Sequence, residues 1–108
     1  MLSQGQYRRQ RLLTASSVAR MTTDHLTAEQ RKAAVAFLDE NRGWGFGVSI
    51  ITQRDGVTVV PGRFGWDGGL GTSGYADPRA QMVGILMTQR LFDAPDAPPI
   101  LRDFWTSV

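Results

Sequence analysis

A chain of 108 residues, 42% of them apolar and 20% charged, is large enough for one small domain, and that balance excludes both a disordered polymer and a membrane protein. Its longest apolar runs fall far short of the ~20 residues that a bilayer crossing needs. Twelve cations against ten anions leave a net charge of +2, and the absence of cysteine excludes disulfides and thiolate metal sites.

Eleven of the twelve cations are arginines spread from Arg8 to Arg102, and only Arg8, Arg9 and Arg11 cluster, beside Tyr7. A nucleic-acid groove gathers cations among stacking aromatics, so this cluster reads as a solvated turn, and nucleic acid is not an expected partner. No apolar run of signal-peptide type follows it, which makes the cytoplasm the expected compartment. Next along the chain, Thr14 can cap a helix running to about Thr22, burying Val18 and Met21 at i, i+3 spacing. Thr22, Thr23 and Asp24 then offer side chains that compete for the backbone and end it. Thr27-Ala28-Glu29-Gln30 matches a capping box. The helix it opens runs through Leu38 with Ala34, Phe37 and Leu38 on one stripe, and Asn41-Arg42-Gly43 stops it. Residues 14–40 are thus expected to be helical.

From Trp44 the period shifts to two, with Trp44, Phe46, Val48 and Ile50 pointing one way and Gly45, Gly47 and Ser49 the other, as in a single strand. Arg54-Asp55-Gly56 reads as a hairpin turn into a strand over 57–60. Further strands follow over 64–70, 72–76 and 81–88, with Asp77-Pro78-Arg79 turning between the last two. Pro95, Pro98 and Pro99 punctuate a loop, and Pro99 suits the first turn of a final helix over 99–108 through Ile100, Leu101, Phe104 and Trp105. The sum is an α+β fold: a partial antiparallel sheet over 44–89 flanked by helices, including a C-terminal one.

The densest feature is the stretch from Gly65 to Pro78, with five glycines in ten residues and Trp66 and Asp67 set among them. Glycine packs nothing in a strand, so such a run marks a tight turn between antiparallel strands or a place where a ligand comes close to the backbone. Its order, Trp-x-Gly-Gly, then Tyr-x-Asp-Pro, then an apolar strand ending in Met-Thr-Gln, resembles the C-terminal region of the serine β-lactamase and esterase-like, or penicillin-binding-protein-like, hydrolases. Residues 12–18, 21–26, 43–48 and 61–66 resemble segments met in that order in the same family, so the resemblance covers most of the chain.

The resemblance implies that Trp66-Asp67-Gly68 stands where the lactamases carry Lys-Thr-Gly, on the strand that walls the cleft, and binds substrate. It implies that the backbone N–H of Gly69 is one of two donors to the developing oxyanion. Trp66 carries no charge, so a lysine's attraction for a substrate carboxylate is missing, which favours uncharged esters over β-lactams. The family also needs a Ser-x-x-Lys nucleophile and a Tyr-x-Asn motif. Lys32 is the single lysine and Glu29 stands three residues before it, while Tyr7 and Tyr75 are followed by Arg8-Arg9 and Ala76-Asp77. The chain is therefore expected to be one partial domain over 1–108, the last third of a catalytic unit, with no catalytic nucleophile of its own and no activity alone.

By the resemblance, the strands over 64–88 would be three neighbours in a five-stranded antiparallel sheet whose two other strands come from the family's N-terminal part. Met82 to Met87 would then be an open apolar edge without charge or proline to block pairing. A homodimer through that edge, or a complementary N-terminal chain, is the expected partner, with a small ester or amide as substrate once the site is complete. A non-catalytic oligomeric or partner-binding remnant of such an enzyme is the alternative. No cofactor or metal is implied: His25 beside Asp24 lacks further ligands and reads as a satisfied surface pair. Trp44 and Trp105 read as core or cover for the sheet.

Overall fold

A computed structural model describes residues 1–54, 60–94 and 98–108. The expected turn at Asp55-Gly56 with the strand that follows it, and Pro95, lie outside the described residues. The arginine cluster forms the tip of an exposed antiparallel hairpin, β1 (Gln6–Tyr7) with β2 (Gln10–Arg11). Thr14 then caps α1 (Ala15–Met21), its hydroxyl accepting the Ser17 amide at 3.0 Å. The helix ends where Thr22 and Thr23 turn their hydroxyls back onto the Val18 and Ala19 carbonyls, at 3.0 and 2.7 Å.

Thr27 and Gln30 close the expected capping box on α2 (Ala28–Ala33), which is shorter than the sequence suggests. From Ala34 the chain continues as turns, with Leu38 buried and Phe37 81% exposed. The stripe of Ala34, Phe37 and Leu38 is thus corrected to a single anchor. Alanines offer a helix face little apolar area to bury, and a short helix without such a face does not propagate.

The five-stranded antiparallel sheet follows chain order: β3 (Arg42–Trp44), β4 (Ser49–Ile51), β5 (Phe64–Gly68), β6 (Thr72–Asp77) and β7 (Met82–Met87). Two expectations are corrected here. The single strand over 44–50 is in fact two strands, because Gly45 donates its N–H to the Val48 carbonyl at 2.8 Å and folds the segment back on itself, with Gly47 at φ 82°. That fold also supplies β3 and β4 from this chain, which by itself builds a five-stranded sheet. Consequently Trp44 and Phe46 do not share a strand face: Phe46 is exposed and stacks on His25 at 4.6 Å.

Pairing partners share a face of the sheet. Phe64 pairs with Ala76 and with Ile50, and these three form the buried core on one face, with Leu2 and Val48 packed against them. On the opposite face Tyr75 pairs with Gly84, and α3 (Pro99–Ser107) lies across them. Leu101 is buried there, and a Cβ on Gly84 would come within 2.5 Å of the Trp105 ring, so the absence of a side chain at Gly84 is what lets the helix dock. Among the described residues no helix is long and apolar enough to cross a membrane, and no strand pairs with the outer edge of β7.

Candidate functional site

β5 and β6 are joined by Gly69-Leu70-Gly71, a three-residue loop between the paired Gly68 and Thr72. Gly71 closes it with φ 88°, and a side chain there would collide with the Arg90 carbonyl and the Thr88 hydroxyl. The loop is fixed by its own backbone and by the segment after β7. Gly71 donates to the Gly68 carbonyl at 2.9 Å, Thr88 donates its N–H and its hydroxyl to the Gly71 carbonyl at 2.9 and 2.6 Å, and Phe92 donates to the Gly69 carbonyl at 2.9 Å. A Cβ built on Gly69 meets nothing within 4 Å, so the space before it is open.

The strand leading into this loop is open on one side. β4 accompanies β5 only as far as the Ser49–Gly65 pair, so among the described residues Trp66, Asp67 and Gly68 have a paired neighbour in β6 alone. Strand alternation sends Trp66 and Asp67 to opposite faces. Trp66 is 40% exposed and meets Trp44 edge-on, with ring centroids 4.8 Å apart at 85°. Trp44 is itself pinned: its N–H donates to Asp24 Oδ1 at 3.0 Å and its carbonyl accepts the His25 N–H at 3.0 Å.

Asp24 also accepts the Leu26 N–H at 3.1 Å and pairs with Arg31. Burial pushes its carboxyl upward, but the Trp44 and Leu26 amides and the Arg31 guanidinium outweigh it and hold the group below the ordinary carboxylate range. The expected surface pair of His25 with Asp24 is therefore corrected. The carboxylate is taken by Arg31 and two amides, and the imidazole Nε2 lies 2.7 Å from the Arg20 carbonyl.

Asp67 turns its carboxylate to the face that α3 covers. Ser73 donates to its Oδ1 at 2.6 Å, Tyr75 donates to its Oδ2 at 2.9 Å, and Arg42 pairs with Oδ2 at 3.4 Å while also donating to the Tyr75 hydroxyl and to Asp39. Ser73 in turn accepts the Trp105 indole N–H at 2.8 Å, and Trp105 packs edge-on to the Tyr75 ring at 5.3 Å. Burial first, then the charge of Asp67 and its hydrogen bond, push the Tyr75 phenol well above its ordinary range against the opposing pull of Arg42, so Tyr75 is a neutral donor.

A second polar pair on this face, Arg63 with Asp77 at 3.3 Å, is nearly buried, and the Arg63 guanidinium lies 5.1 Å from the centre of the Trp105 ring. Burial pushes Asp77 upward, but the Ala80 and Arg79 amides and Arg63 together hold it below the usual carboxylate range. The structure thus brings the four sequence-selected positions, Trp66 to Gly69, to one open strand end, with the Asp67 side chain engaged behind the strand rather than beside Trp66. Arg42, Ser73 and Tyr75 escaped the sequence reading. The alternation of Ser73, Tyr75 and Asp77 in one strand was the available signal, three polar-tipped residues on a single sheet face.

A five-stranded antiparallel sheet with helices, one of them C-terminal, is the α+β fold the sequence led us to expect. The comparisons name the family. The Beta-lactamase family model matches residues 6–103, nearly the whole chain, and the chain belongs to that family. Two relatives from Mycobacterium tuberculosis, Protein Rv1367c of strain ATCC 25618 / H37Rv and uncharacterized protein MT1414 of strain CDC 1551 / Oshkosh, are each 32% identical over 90 residues. That match covers 77% of this chain and 22% of each relative, so the chain spans about a fifth of the length of these curated proteins.

Proposed function

We propose that this chain furnishes one wall of a β-lactamase-related serine hydrolase site and reacts only when a Ser-x-x-Lys nucleophile and a Tyr-x-Asn motif are supplied by further polypeptide. The observation that carries the reading is the edge of β5 over 66–68, which no strand pairs among the described residues and which ends in the fixed loop over 68–71. A rigid donor at the end of a strand paired on one side suits an oxyanion, because it needs no reorganisation when charge develops. In this reading the Gly69 N–H is that donor, worth ~3–4 kcal/mol of transition-state stabilisation. Trp66 and Gly68 line the cleft, and Asp67 contributes its backbone to the same wall.

The substrate is an uncharged ester or amide. Trp66 supplies no cation, Arg42 of β3 is engaged with Asp39 and Asp67, and Arg63, just before β5, is engaged with Asp77. A β-lactam carboxylate would find no partner beside Trp66. The chemistry calls for no cofactor, since a serine nucleophile, its base and the oxyanion donors suffice.

The test is to express the reading frame extended upstream of Met1 and to assay nitrophenyl ester hydrolysis by that product and by two variants. Gly69→Ala keeps the N–H and has room for its methyl, so kcat should stay within about threefold of wild type; Gly69→Pro removes the donor and should cost about 10²–10³ in kcat. Equal activity in the two variants would overturn the assignment.

A specific observation favours a second reading, a non-catalytic remnant that binds a partner or a second copy of itself. Val83, Ile85 and Met87 stand 56%, 64% and 74% exposed beside the free edge of β7, on the face that α3 leaves bare. A stop codon directly upstream would favour this second reading, and saturable ester hydrolysis by the 108-residue chain alone would remove both readings as stated. In the first case a homodimer paired through residues 82–87 becomes the better account.

A further inference from the structure

We propose that Asp67 is a positioning residue whose carboxylate, clasped by Ser73, Tyr75 and Arg42, fixes the path of the 68–71 loop and couples it to the C-terminal helix. The inference rests on the reading of Gly69 as a donor for its purpose, but not for its geometry. Asp67 lies two residues before Gly69, at the point where β5 has lost its β4 neighbour and, among the described residues, β6 alone holds it in register. A strand end paired on one side frays unless something else restrains it.

The restraint comes from three elements at once. Ser73 and Tyr75 reach Asp67 from β6, at 2.6 and 2.9 Å. Arg42 reaches it from β3 at 3.4 Å, spanning the sheet behind the gap that β4 leaves. Trp105 reaches it from α3 through Ser73, at 2.8 Å. Both oxygens of the carboxylate thus meet a donor, Oδ1 from Ser73 and Oδ2 from Tyr75 and Arg42, and charge-assisted bonds of this kind are about twice as strong as neutral ones.

The polarity of the relay is one-directional. The indole N–H can only donate, so the Ser73 hydroxyl accepts from it and must turn its own proton to Asp67. Loss of the indole N–H would free Ser73 to rotate, and the Asp67 bond would loosen without any change in the residues that line the cleft. Asp67 therefore acts through the backbone of Gly68 and Gly69, and α3 acts through Asp67.

Native-state amide exchange and heteronuclear NOE measurements on the whole chain test this, using Asp67→Asn, Ser73→Ala and Trp105→Phe. The reference is the Ile51 amide, which donates to the Arg63 carbonyl at 2.9 Å at the end of β5 far from the loop, and the reporter is the Gly71 amide, which closes the loop on the Gly68 carbonyl at 2.9 Å. Positioning predicts that the Gly71 amide exchanges about tenfold faster in Asp67→Asn and in Ser73→Ala, well beyond any change at Ile51, with the NOE at Gly69 and Leu70 falling in step. Trp105→Phe, which keeps an aromatic ring against Gly84, should give the same pattern at smaller amplitude.

If the Gly71 and Ile51 amides accelerate by the same factor in every variant that folds, Asp67 is part of the general stability of the sheet and the proposal is overturned. Should Asp67→Asn fail to fold, Ser73→Ala decides alone, because it deletes one hydroxyl and little volume. In an extended, active hydrolase, Ser73→Ala should lower kcat with KM nearly unchanged. Loop loosening with kcat unmoved would keep the positioning role and reject Gly69 as the donor, so the two readings fail separately.

Discussion

The two faces of the five-stranded sheet are built from alternating residues of the same three strands and have opposite fates. On one face Asp67, Ser73, Tyr75, Asp77 and Gly84 meet Arg42, Arg63 and α3, and polar tips are matched with donors and acceptors. On the other, past the small core of Ile50, Phe64 and Ala76, Trp66, Val83, Ile85 and Met87 are left to solvent. The face that looks polar in sequence is the one under the helix, and the apolar face is buried over Ile50, Phe64 and Ala76 and bare beyond them. Apolar residues thus do not mark where the helix docks on this sheet; it docks where Gly84 makes room for Trp105.

That contrast is broken most directly at Trp105. Trp105→Ala removes the ring that lies on Gly84, the indole N–H to Ser73 and the cation–π partner of Arg63, and should cost ~3–5 kcal/mol of stability, read as a lower denaturant midpoint. A loss of under about 1 kcal/mol would mean that α3 is an ornament of the covered face rather than its lid.

Acid probes both faces more gently, Asp77 on the face under α3 and Asp24 against the other. Asp24 and Asp77 are both held below the ordinary carboxylate range by amides and arginines that outweigh burial. A depressed native pKa means that the unfolded chain binds more protons in the window below the unfolded value of about 4. Stability should therefore be flat above that pH and fall as pH drops through the native values, and Asp77→Asn should flatten the decline while lowering the plateau. A midpoint that stays constant from neutrality down to about pH 3 would contradict both assignments.

How much of this was legible beforehand depended on range. Thr14, Thr27 and Gln30 signal their caps because a cap needs only residues three apart, and both caps are present. The glycine loop after Trp66 was legible for the same reason. The split of 44–50 was not, because an alternating pattern and a tight Gly45–Val48 turn use the same residues, and the choice was made by the Met21 carbonyl. A Cβ on Gly45 would overlap that atom, and the Phe46 N–H donates to it at 3.0 Å. The Asp67 cluster was invisible for a further reason: Arg42 and Trp105 approach it from 25 and 32 residues away in sequence, from Asp67 and Ser73 respectively, and no local spacing announces such partners.

Ser49 gives a smaller test of the covered face. It is fully buried, and its hydroxyl has no hydrogen-bond partner among the described residues. A buried unsatisfied hydroxyl costs about 1–3 kcal/mol of desolvation, so Ser49→Ala should leave the protein as stable or raise its stability by up to about 1 kcal/mol. A clear loss in thermal melting would mean that the hydroxyl has a partner, for instance an ordered water.

The bare face should show the smallest change in stability and the clearest change in behaviour. Val83, Ile85 and Met87 already face solvent, so Val83→Thr with Ile85→Thr removes little buried area, keeps β-branched side chains in the strand, and should move the unfolding free energy by no more than about 0.5 kcal/mol. Association is another matter, because the same side chains border the unpaired edge of β7 and any partner that extends the sheet would cover part of them. Sedimentation of the wild type should show a concentration-dependent oligomer that the double variant weakens by about tenfold or more. A wild type that stays monomeric at the highest concentration reached would mean that the edge awaits a different chain, which favours the split hydrolase over the self-paired remnant.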